Sequence, residues 1–361
     1  MASLLRKLGN AVGYTSEEPQ PPVNIDQIPP SDCIVDGDCS ACPAPCDDHK
    51  QFPSYLQFDK ETPLLGSMKP YGRQVMISTG QVDWAEKIED DEGTLAANLN
   101  SIIKKQYDVN KAGRIFITNT SRLTQQSTIK NGQDVIIIPD NILITNVTPD
   151  RAQAFFDKFL NIPIPSFTKE EQKDNSNGHI NGHSNVYING HSTTNGRSNG
   201  YINKHAKGSS NGHHRHNNGH AKGQSNGHTN EYAPSPDDMQ IIKNTHKAMI
   251  LICSHKKRDK RCGITAPILG AEFDNVLREK DLTEDDVAIY MVSHVGGHKF
   301  AGNVICYIHE GQTGIWYGRV NTCHCRAIIE DTICAGKVIK ELYRGAMSHS
   351  FGEIKSDRLR W

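Results

Sequence analysis

The chain has 361 residues, of which 36% are hydrophobic and 22% charged, and its formal net charge at pH 7 is −1. At about 100–200 residues per domain, this length predicts two or three domains. The near-neutral charge argues against a surface built for nucleic acid or an acidic membrane, and no stretch approaches the ~20 apolar residues of a membrane span.

Residues 1–30 are rich in proline and predict a flexible tail. The first residues carry two cations and no acid, which weakly resembles a mitochondrial presequence. The segment is short, however, poor in arginine and without the apolar core of a secretory signal. We therefore expect a cytoplasmic protein, with the nucleus as a further location and mitochondria as the alternative. In a reducing compartment, clustered cysteines bind metal or do redox chemistry more often than they form disulfides.

A cysteine-rich loop opens the first predicted domain, residues 31–165. Four of the chain's 10 cysteines fall within fourteen positions. They are Cys33, Cys39, Cys42 and Cys46. This close spacing is typical of zinc or iron–sulfur ligands, so the loop is a candidate second metal site. The alternative is a redox-active loop whose turn is set by its prolines.

The rest of this domain alternates strands with amphipathic helices. The patterning predicts strands over residues 74–78, 114–118 and 134–138 and helices over residues 94–107 and 148–160. The second helix has Thr148 as its N-cap and Pro149 at its first position. We therefore predict an α/β domain.

Residues 166–236 differ from the rest of the chain in composition. Variants of Asn-Gly-His recur between residues 169 and 231 and hold nine of the 17 histidines. With almost no apolar side chains to bury, this segment cannot offset the entropy of ordering, so we predict a disordered linker. Its histidines are either weak metal ligands or simply part of a low-complexity sequence.

The second predicted domain, residues 237–361, is also α/β. The patterning predicts strands over residues 247–252, 287–292, 303–308 and 314–318 and helices over residues 266–278 and 327–344. A β-α-β unit followed by a β-hairpin and a final helix is the thioredoxin-like order. Functional residues in such folds commonly follow the strand ends.

Four candidate metal ligands lie at these strand ends. They are Cys253, Cys262, His294 and His298. Two thiolates on one loop and two imidazoles on the next are predicted to converge, and the glycines at 296 and 297 allow a tight turn between the histidines. Such a set suits tetrahedral zinc or a 2Fe-2S cluster with Rieske-like ligation, and the residues alone leave both open.

Five permanent cations lie between the two cysteines, within residues 255–261. They favour thiolate over thiol, raise the potential of a cluster and could dock an acidic redox partner. The alternative is a solvated basic loop between two structural cysteines. Outside this site, Cys306 and Cys334 lie on apolar faces and are predicted to be core residues.

Several segments of the chain resemble the sucrase/ferredoxin-like family of fungi. They are residues 65–73, 77–80, 83–84, 258–264, 266–267, 293–305 and 316–320. The resemblance implies a carboxy-terminal thioredoxin-like ferredoxin domain that holds a 2Fe-2S cluster through two cysteines and two histidines without being a Rieske protein. By position, those ligands are Cys253, Cys262, His294 and His298. It also implies roles in redox homeostasis, oxidant and xenobiotic resistance, and cortical actin organisation.

One segment departs from the family pattern. Where a proline is expected after Val320, the chain has Cys323 and Cys325 on either side of a histidine. This pair is either an accessory dithiol or variation in an exposed loop. At the other end of the domain, Trp361 resembles a carboxy-terminal signal for the cytosolic iron–sulfur assembly machinery, and the alternative is a frayed terminus.

The leading interpretation is an electron carrier or redox sensor rather than a stand-alone enzyme. An imidazole bound to iron keeps a second nitrogen whose proton affinity rises on reduction, so we expect proton-coupled one-electron transfer to a redox partner protein. The first domain is then a second α/β domain or a degenerate copy of the same fold. The alternatives are a thiol-disulfide oxidoreductase and a zinc-stabilised scaffold protein.

Overall fold

The computed structural model describes residues 28–36, 49–164 and 238–351. All of them belong to one compact unit. The predicted linker, most of the predicted tail and Trp361 lie outside the described residues. No helix in the described ranges is long and apolar enough to cross a membrane.

Twelve strands form two sheets within the described residues. The strands are β1 (Ile34–Val35), β2 (Arg73–Ser78), β3 (Ile115–Thr120), β4 (Gln133–Ile138), β5 (Ile142–Val147), β6 (Ile241–Lys243), β7 (Ala248–Cys253), β8 (Val287–Val292), β9 (Val304–Ile308), β10 (Thr313–Tyr317), β11 (Val338–Ile339) and β12 (Tyr343–Ala346). β1 pairs with β11, and the other ten form one sheet in the order β12-β10-β9-β7-β8-β3-β2-β4-β5-β6.

The helices flank this sheet. They are α1 (Leu95–Gln106), α2 (Val109–Ala112), α3 (Ala152–Phe155), α4 (Lys260–Glu279) and α5 (His324–Ala327). α3 continues with wider π-type hydrogen bonding through Phe156–Leu160, and α5 does so through Ile328–Cys334. The helix predicted over residues 148–160 is therefore present, with a 3₁₀ turn at its start.

The ten-stranded sheet contains one arrangement twice. β2 and β7 each pair in parallel with the strand that follows their helix, β3 and β8 respectively. On its other side each pairs antiparallel with a β-hairpin, β4–β5 or β9–β10. Both halves therefore have the thioredoxin-like strand order, and the α/β thioredoxin-like prediction is confirmed. The boundaries predicted for two separate domains stay a prediction.

The two halves meet where β3 and β8 end. Thr120 and Val292 form the registered antiparallel pair. Beyond it the Ser293 hydroxyl accepts a hydrogen bond from the Asn119 N–H, and the Ser121 hydroxyl accepts one from the Met291 N–H. These side chains satisfy backbone donors that the short ladder leaves unpaired. The carboxyl ends of β7 and β8 therefore lie beside the amino-terminal half.

Helix α4 begins six residues before the predicted start at residue 266. Asp259 caps it, because its carboxylate accepts a hydrogen bond from the Arg261 N–H. Proline is favoured in the first turn of a helix, but Pro267 lies further inside this one. The earlier start brings Cys262 into the first turn of α4.

The predicted helix over residues 327–344 is wrong in its second half. Helical structure ends at Cys334, and Gly336 follows with a φ of +66°. β12 then pairs antiparallel with β10 at the edge of the sheet. The apolar spacing of this segment reflects burial in a strand rather than a helix face. Strand β5 was also missed, because the hairpin turn before it is short.

Three buried clusters form the core. One lies between α4, the last helix and the carboxy-terminal strands, one lies on the opposite side of those strands, and one fills the amino-terminal half. Phe273 of α4 and Ile250 of β7 are both fully buried in the first cluster. This packing holds α4 against the strands that carry the candidate ligands.

Candidate metal centre

The structure brings the four candidate ligands to one edge of the sheet. Cys253 is the last residue of β7, and Cys262 is in the first turn of α4. His294 and His298 lie in the loop after β8 and at its end. Because β7 and β8 are parallel neighbours with Cys253 beside Val292, both loops leave from the same edge. Their role as ligands stays a prediction.

The two cysteines are in contact and almost fully buried, Cys253 being 2% exposed and Cys262 0%. The Cys253 sulfur is hydrogen-bonded by the Cys262 thiol, by the His294 side chain and by the Val295 N–H, which together hold the pKa of Cys253 well below its usual range. The same interaction, with burial, raises the pKa of Cys262. These shifts favour the thiolate of Cys253, which is the form that binds metal.

The two histidine rings complete the cluster of side chains. Their centroids are 5.5 Å apart at an angle of 40°. The Nδ1 atoms of His294 and His298 are both buried and without a hydrogen-bond partner. Burial lowers the pKa of His298, which favours the neutral ring that can act as a ligand. A buried ring nitrogen without a partner is costly in a folded protein, and ligation would satisfy it.

His255, two residues after Cys253, is not available as a ligand. Its Nδ1 accepts a hydrogen bond from the His294 N–H at 3.1 Å, and its Nε2 donates to the Trp84 carbonyl at 3.2 Å. These two bonds fix the tautomer. His255 therefore connects the loop of His294 to the amino-terminal half, and Ser254 adds a second connection by donating to the Val82 carbonyl.

Sequence reasoning missed Arg344, which lies beside this loop. Its guanidinium is fully buried and donates to the Gly296 carbonyl at 3.2 Å and to the Asn303 amide oxygen at 2.7 Å. The residue was assigned to a predicted helix, so its position on the buried strand β12 was not foreseen. The paired glycines at 296 and 297 were the one signal that a large group packs against the loop.

Two cysteines and two histidines are a donor set that suits either tetrahedral zinc or a 2Fe-2S cluster. Among the described residues, no group of three or more His, Cys, Asp or Glu side chains is arranged to hold a single metal ion. Structural zinc needs four such ligands on one ion. In a 2Fe-2S cluster each iron takes two protein ligands and two sulfides, so the two thiol groups and two unpaired ring nitrogens suffice.

At the equivalent positions of the amino-terminal half, the described residues are not cysteines. The registered counterpart of Cys253 is Ser78, because Ser78 lies beside Thr120 as Cys253 lies beside Val292. The third residue of α1 is Ala97, where α4 has Cys262. The repeat therefore carries the candidate ligands in its carboxy-terminal copy.

The other cysteines are placed as follows. Cys33 is half-buried, whereas Cys39, Cys42 and Cys46 lie outside the described residues, so the second metal site stays a prediction. Cys306 is buried as predicted, with its thiol pKa raised by burial. Cys334 is exposed, so its assignment to the core is wrong. It is the last residue of its helix, where the chain turns outward before Gly336.

Comparison with known proteins gives a family and several relatives. The sequence model of the sucrase/ferredoxin-like family matches residues 64–345. The chain is 50% identical over 100 residues to Altered inheritance of mitochondria protein 32 of Clavispora lusitaniae, which covers 28% of this chain and 35% of the relative. It is 48% identical over 94 residues to Actin patches distal protein 1 of Saccharomyces cerevisiae, covering 24% and 30% respectively. The matches thus span about a third of these relatives.

Proposed function

Because the chain belongs to the sucrase/ferredoxin-like family, we propose that its four converging side chains hold a 2Fe-2S cluster and that the protein transfers single electrons or senses redox state. The proposed ligands are Cys253, Cys262, His294 and His298. The observation that carries the proposal is the pair of buried Nδ1 atoms without partners, on the loop beside two buried cysteines that interact with each other. Such a cluster supplies one-electron chemistry.

The chain's own residues prepare the site for that role. The buried sulfurs are shielded from water and from large thiol substrates, while both histidines remain half-exposed. Electrons would therefore enter and leave on the histidine side. One nitrogen of each ligating ring remains for a proton, so electron and proton uptake are coupled, and voltammetry of the protein should show a potential that falls as pH rises.

An acidic protein is the redox partner that the surface favours. The loop between β7 and α4 and the start of α4 carry four cations without a carboxylate partner among the described residues, namely Lys256, Lys257, Arg258 and Lys260, and the charge of Arg258 acts on His298. Arg261 differs, because it forms an ion pair with Asp259 at 2.8 Å. Against a net charge of −1 for the chain, this is a local positive patch. Complementary charge speeds the encounter of two proteins and orients them.

Two other functions are less well supported. In a thiol-disulfide oxidoreductase, the attacking sulfur must reach its substrate, and Cys253 and Cys262 are almost fully buried. A zinc-stabilised scaffold would use the same two cysteines and two histidines on a single ion, so the metal content of the purified protein separates it from the cluster. The names of the relatives refer to actin patches and to inheritance of mitochondria. Cells that lack the protein should therefore be tested for defects in cortical actin and in mitochondria. Their resistance to oxidants and xenobiotics should be tested as well.

Spectroscopy of the purified full-length protein tests the cluster. We expect a brown protein that contains iron and sulfide, bleaches with dithionite and gives an electron paramagnetic resonance signal when reduced. His294→Cys and His298→Cys should each change that signal, because thiolate donates more charge to iron than imidazole does. His309→Cys, in the turn between β9 and β10, is the matched control and should leave it unchanged. A colourless protein that holds zinc would overturn the proposal.

A further inference from the structure

Arg344 carries a buried charge that the protein leaves without a counter-ion. Arg73 and Arg344 are both 0% exposed. Arg73 forms a two-pronged ion pair with Asp140, at 2.7 Å for both hydrogen bonds. No carboxylate in the described part of the chain lies within ion-pair distance of Arg344. A buried charge is costly unless it is paired, so the second arginine requires an explanation.

Neutral groups hold the Arg344 guanidinium in one orientation. It donates to the Ser67 hydroxyl at 2.9 Å and to the Ser67 carbonyl at 2.7 Å, besides its bonds to Gly296 and Asn303. Its central carbon lies 5.4 Å from the ring centre of Phe300 and 5.7 Å from that of Trp316. These contacts satisfy four of its five N–H groups but supply no negative charge.

Two glycines make the space that this side chain occupies. A Cβ atom at position 297 would lie 2.2 Å from the Arg344 Nη2 atom, and one at position 318 would lie 2.8 Å from its Cδ atom. Both distances are far inside van der Waals contact. The loop between the two histidines is therefore built directly against the guanidinium.

The groups that compensate the charge are the cysteines of the candidate centre. Burial lowers the pKa of Arg344 to about 10, and the Cys253 and Cys262 side chains act in the opposite direction. The side chain is thus a cation at neutral pH, and the two cysteines are the groups that favour its charged form. Because Arg344 is positively charged, it stabilises a form of the centre with more negative charge over one with less.

We propose that Arg344 is a positioning residue of the centre, which fixes the loop between His294 and His298 and stabilises the reduced form by its positive charge. This inference rests on the proposed 2Fe-2S cluster. Reduction adds one electron from the redox partner and breaks no bond, so the centre gains one negative charge. A fixed cation nearby lowers the free energy of that product more than that of the oxidised form, which raises the reduction potential.

Potentiometric titration of the cluster-loaded protein tests the inference. Arg344→Met should shift the midpoint potential to more negative values, and Arg344→Lys, which keeps a charge, should shift it less. The control is Arg319→Met, because Arg319 also lies over Phe300 at 5.2 Å but faces Asp59, whose carboxylate is 3.7 Å away. The control should keep the wild-type potential. An Arg344→Met protein with the wild-type potential would overturn the inference.

A second variant covers the case in which Arg344→Met does not fold. Asn303→Asp keeps the size of the side chain that accepts from Arg344 and gives the guanidinium a carboxylate partner. Its potential should also become more negative. If wild type holds the cluster while the variants keep its potential, the inference falls and the proposed function stands. A wild-type protein without iron and sulfide overturns both.

Discussion

Gly296 and Gly297 lie side by side in the loop between the two histidines, but they are constrained differently. Both have positive φ angles, +87° and +68°, which an L side chain adopts at a cost of about 1–2 kcal/mol. A Cβ atom at 296 would meet nothing within 4 Å, whereas one at 297 would overlap Arg344. The second glycine is therefore required by packing as well as by conformation.

Alanine substitution separates these two requirements. Gly296→Ala should lower the free energy of unfolding by about 1–2 kcal/mol and leave the iron content unchanged. Gly297→Ala should cost at least twice that and lose iron, because the loop or Arg344 has to move. Urea unfolding of both variants, with iron per chain, checks this. Equal unfolding free energies would show that Arg344 does not constrain the loop.

At the residue scale, the sequence was informative where chemistry dictates residue type. Thiol and imidazole side chains after two strands predicted a centre that the structure brings together. Arg344 and His255 were not foreseen, because their roles depend on burial and on backbone partners far along the chain, such as Ser67 and Trp84. Neither dependence leaves a spacing pattern in the sequence.

At the element scale, the errors fall where local signals conflict with tertiary packing. The start of α4 was predicted at Ala266, although Asp259 has the side chain of an N-cap and the helix begins at Lys260. The segment after α5 was predicted as helix, although β12 buries every residue against β10. For α4 the period was right and the start too late, whereas in the second segment a buried strand was assigned a helical period.

The basic loop between β7 and α4 makes a prediction about electron exchange. Lys257→Glu combined with Lys260→Glu should slow oxidation of the reduced protein by ferricyanide, a trianion, by about tenfold at low salt. The same change should speed oxidation by a tricationic cobalt complex, since the sign of the local charge is reversed. Stopped-flow rates at two salt concentrations check both, and the difference should shrink at high salt.

The matched control for this experiment reverses the same number of charges elsewhere. Lys104→Glu combined with Lys105→Glu changes two exposed lysines of α1. If both pairs of substitutions slow ferricyanide equally, net charge rather than the patch beside the histidines governs the rate. The surface charge would then give no evidence for an acidic redox partner.

At the scale of the whole molecule, the fold is a repeated unit in which the halves are unequal. The strand order predicted for the second half is present in both halves, but the way the halves meet was not predicted. Their junction includes one registered pair of residues, single side chains such as Ser293 and His255, and a buried apolar cluster with members from both halves. The candidate centre lies at this junction, so its loops are held by both halves.

Burial of histidines throughout the molecule sets how its stability depends on pH. Burial lowers the pKa of five of them, which are His246, His298, His309, His324 and His349. For His324 the pKa falls from 6.5 to about 4. The unfolded chain therefore binds more protons between these values, so stability is full above pH 6.5 and is lost as pH falls toward 4.

This pH dependence can be assigned to a single side chain. The shift at His324 corresponds to about 3 kcal/mol between pH 7 and pH 4. His324→Gln keeps an acceptor for the Asn321 N–H, which the His324 Nδ1 accepts at 3.1 Å, and does not titrate. Urea unfolding at pH 7 and pH 5 should show a smaller loss of unfolding free energy for the variant than for wild type.

Aspartates whose pKa is lowered, such as Asp134, change stability mainly below about pH 4, so they do not explain a loss of stability between pH 7 and pH 5. Equal losses in variant and wild type would mean that His324 is protonated in the folded protein.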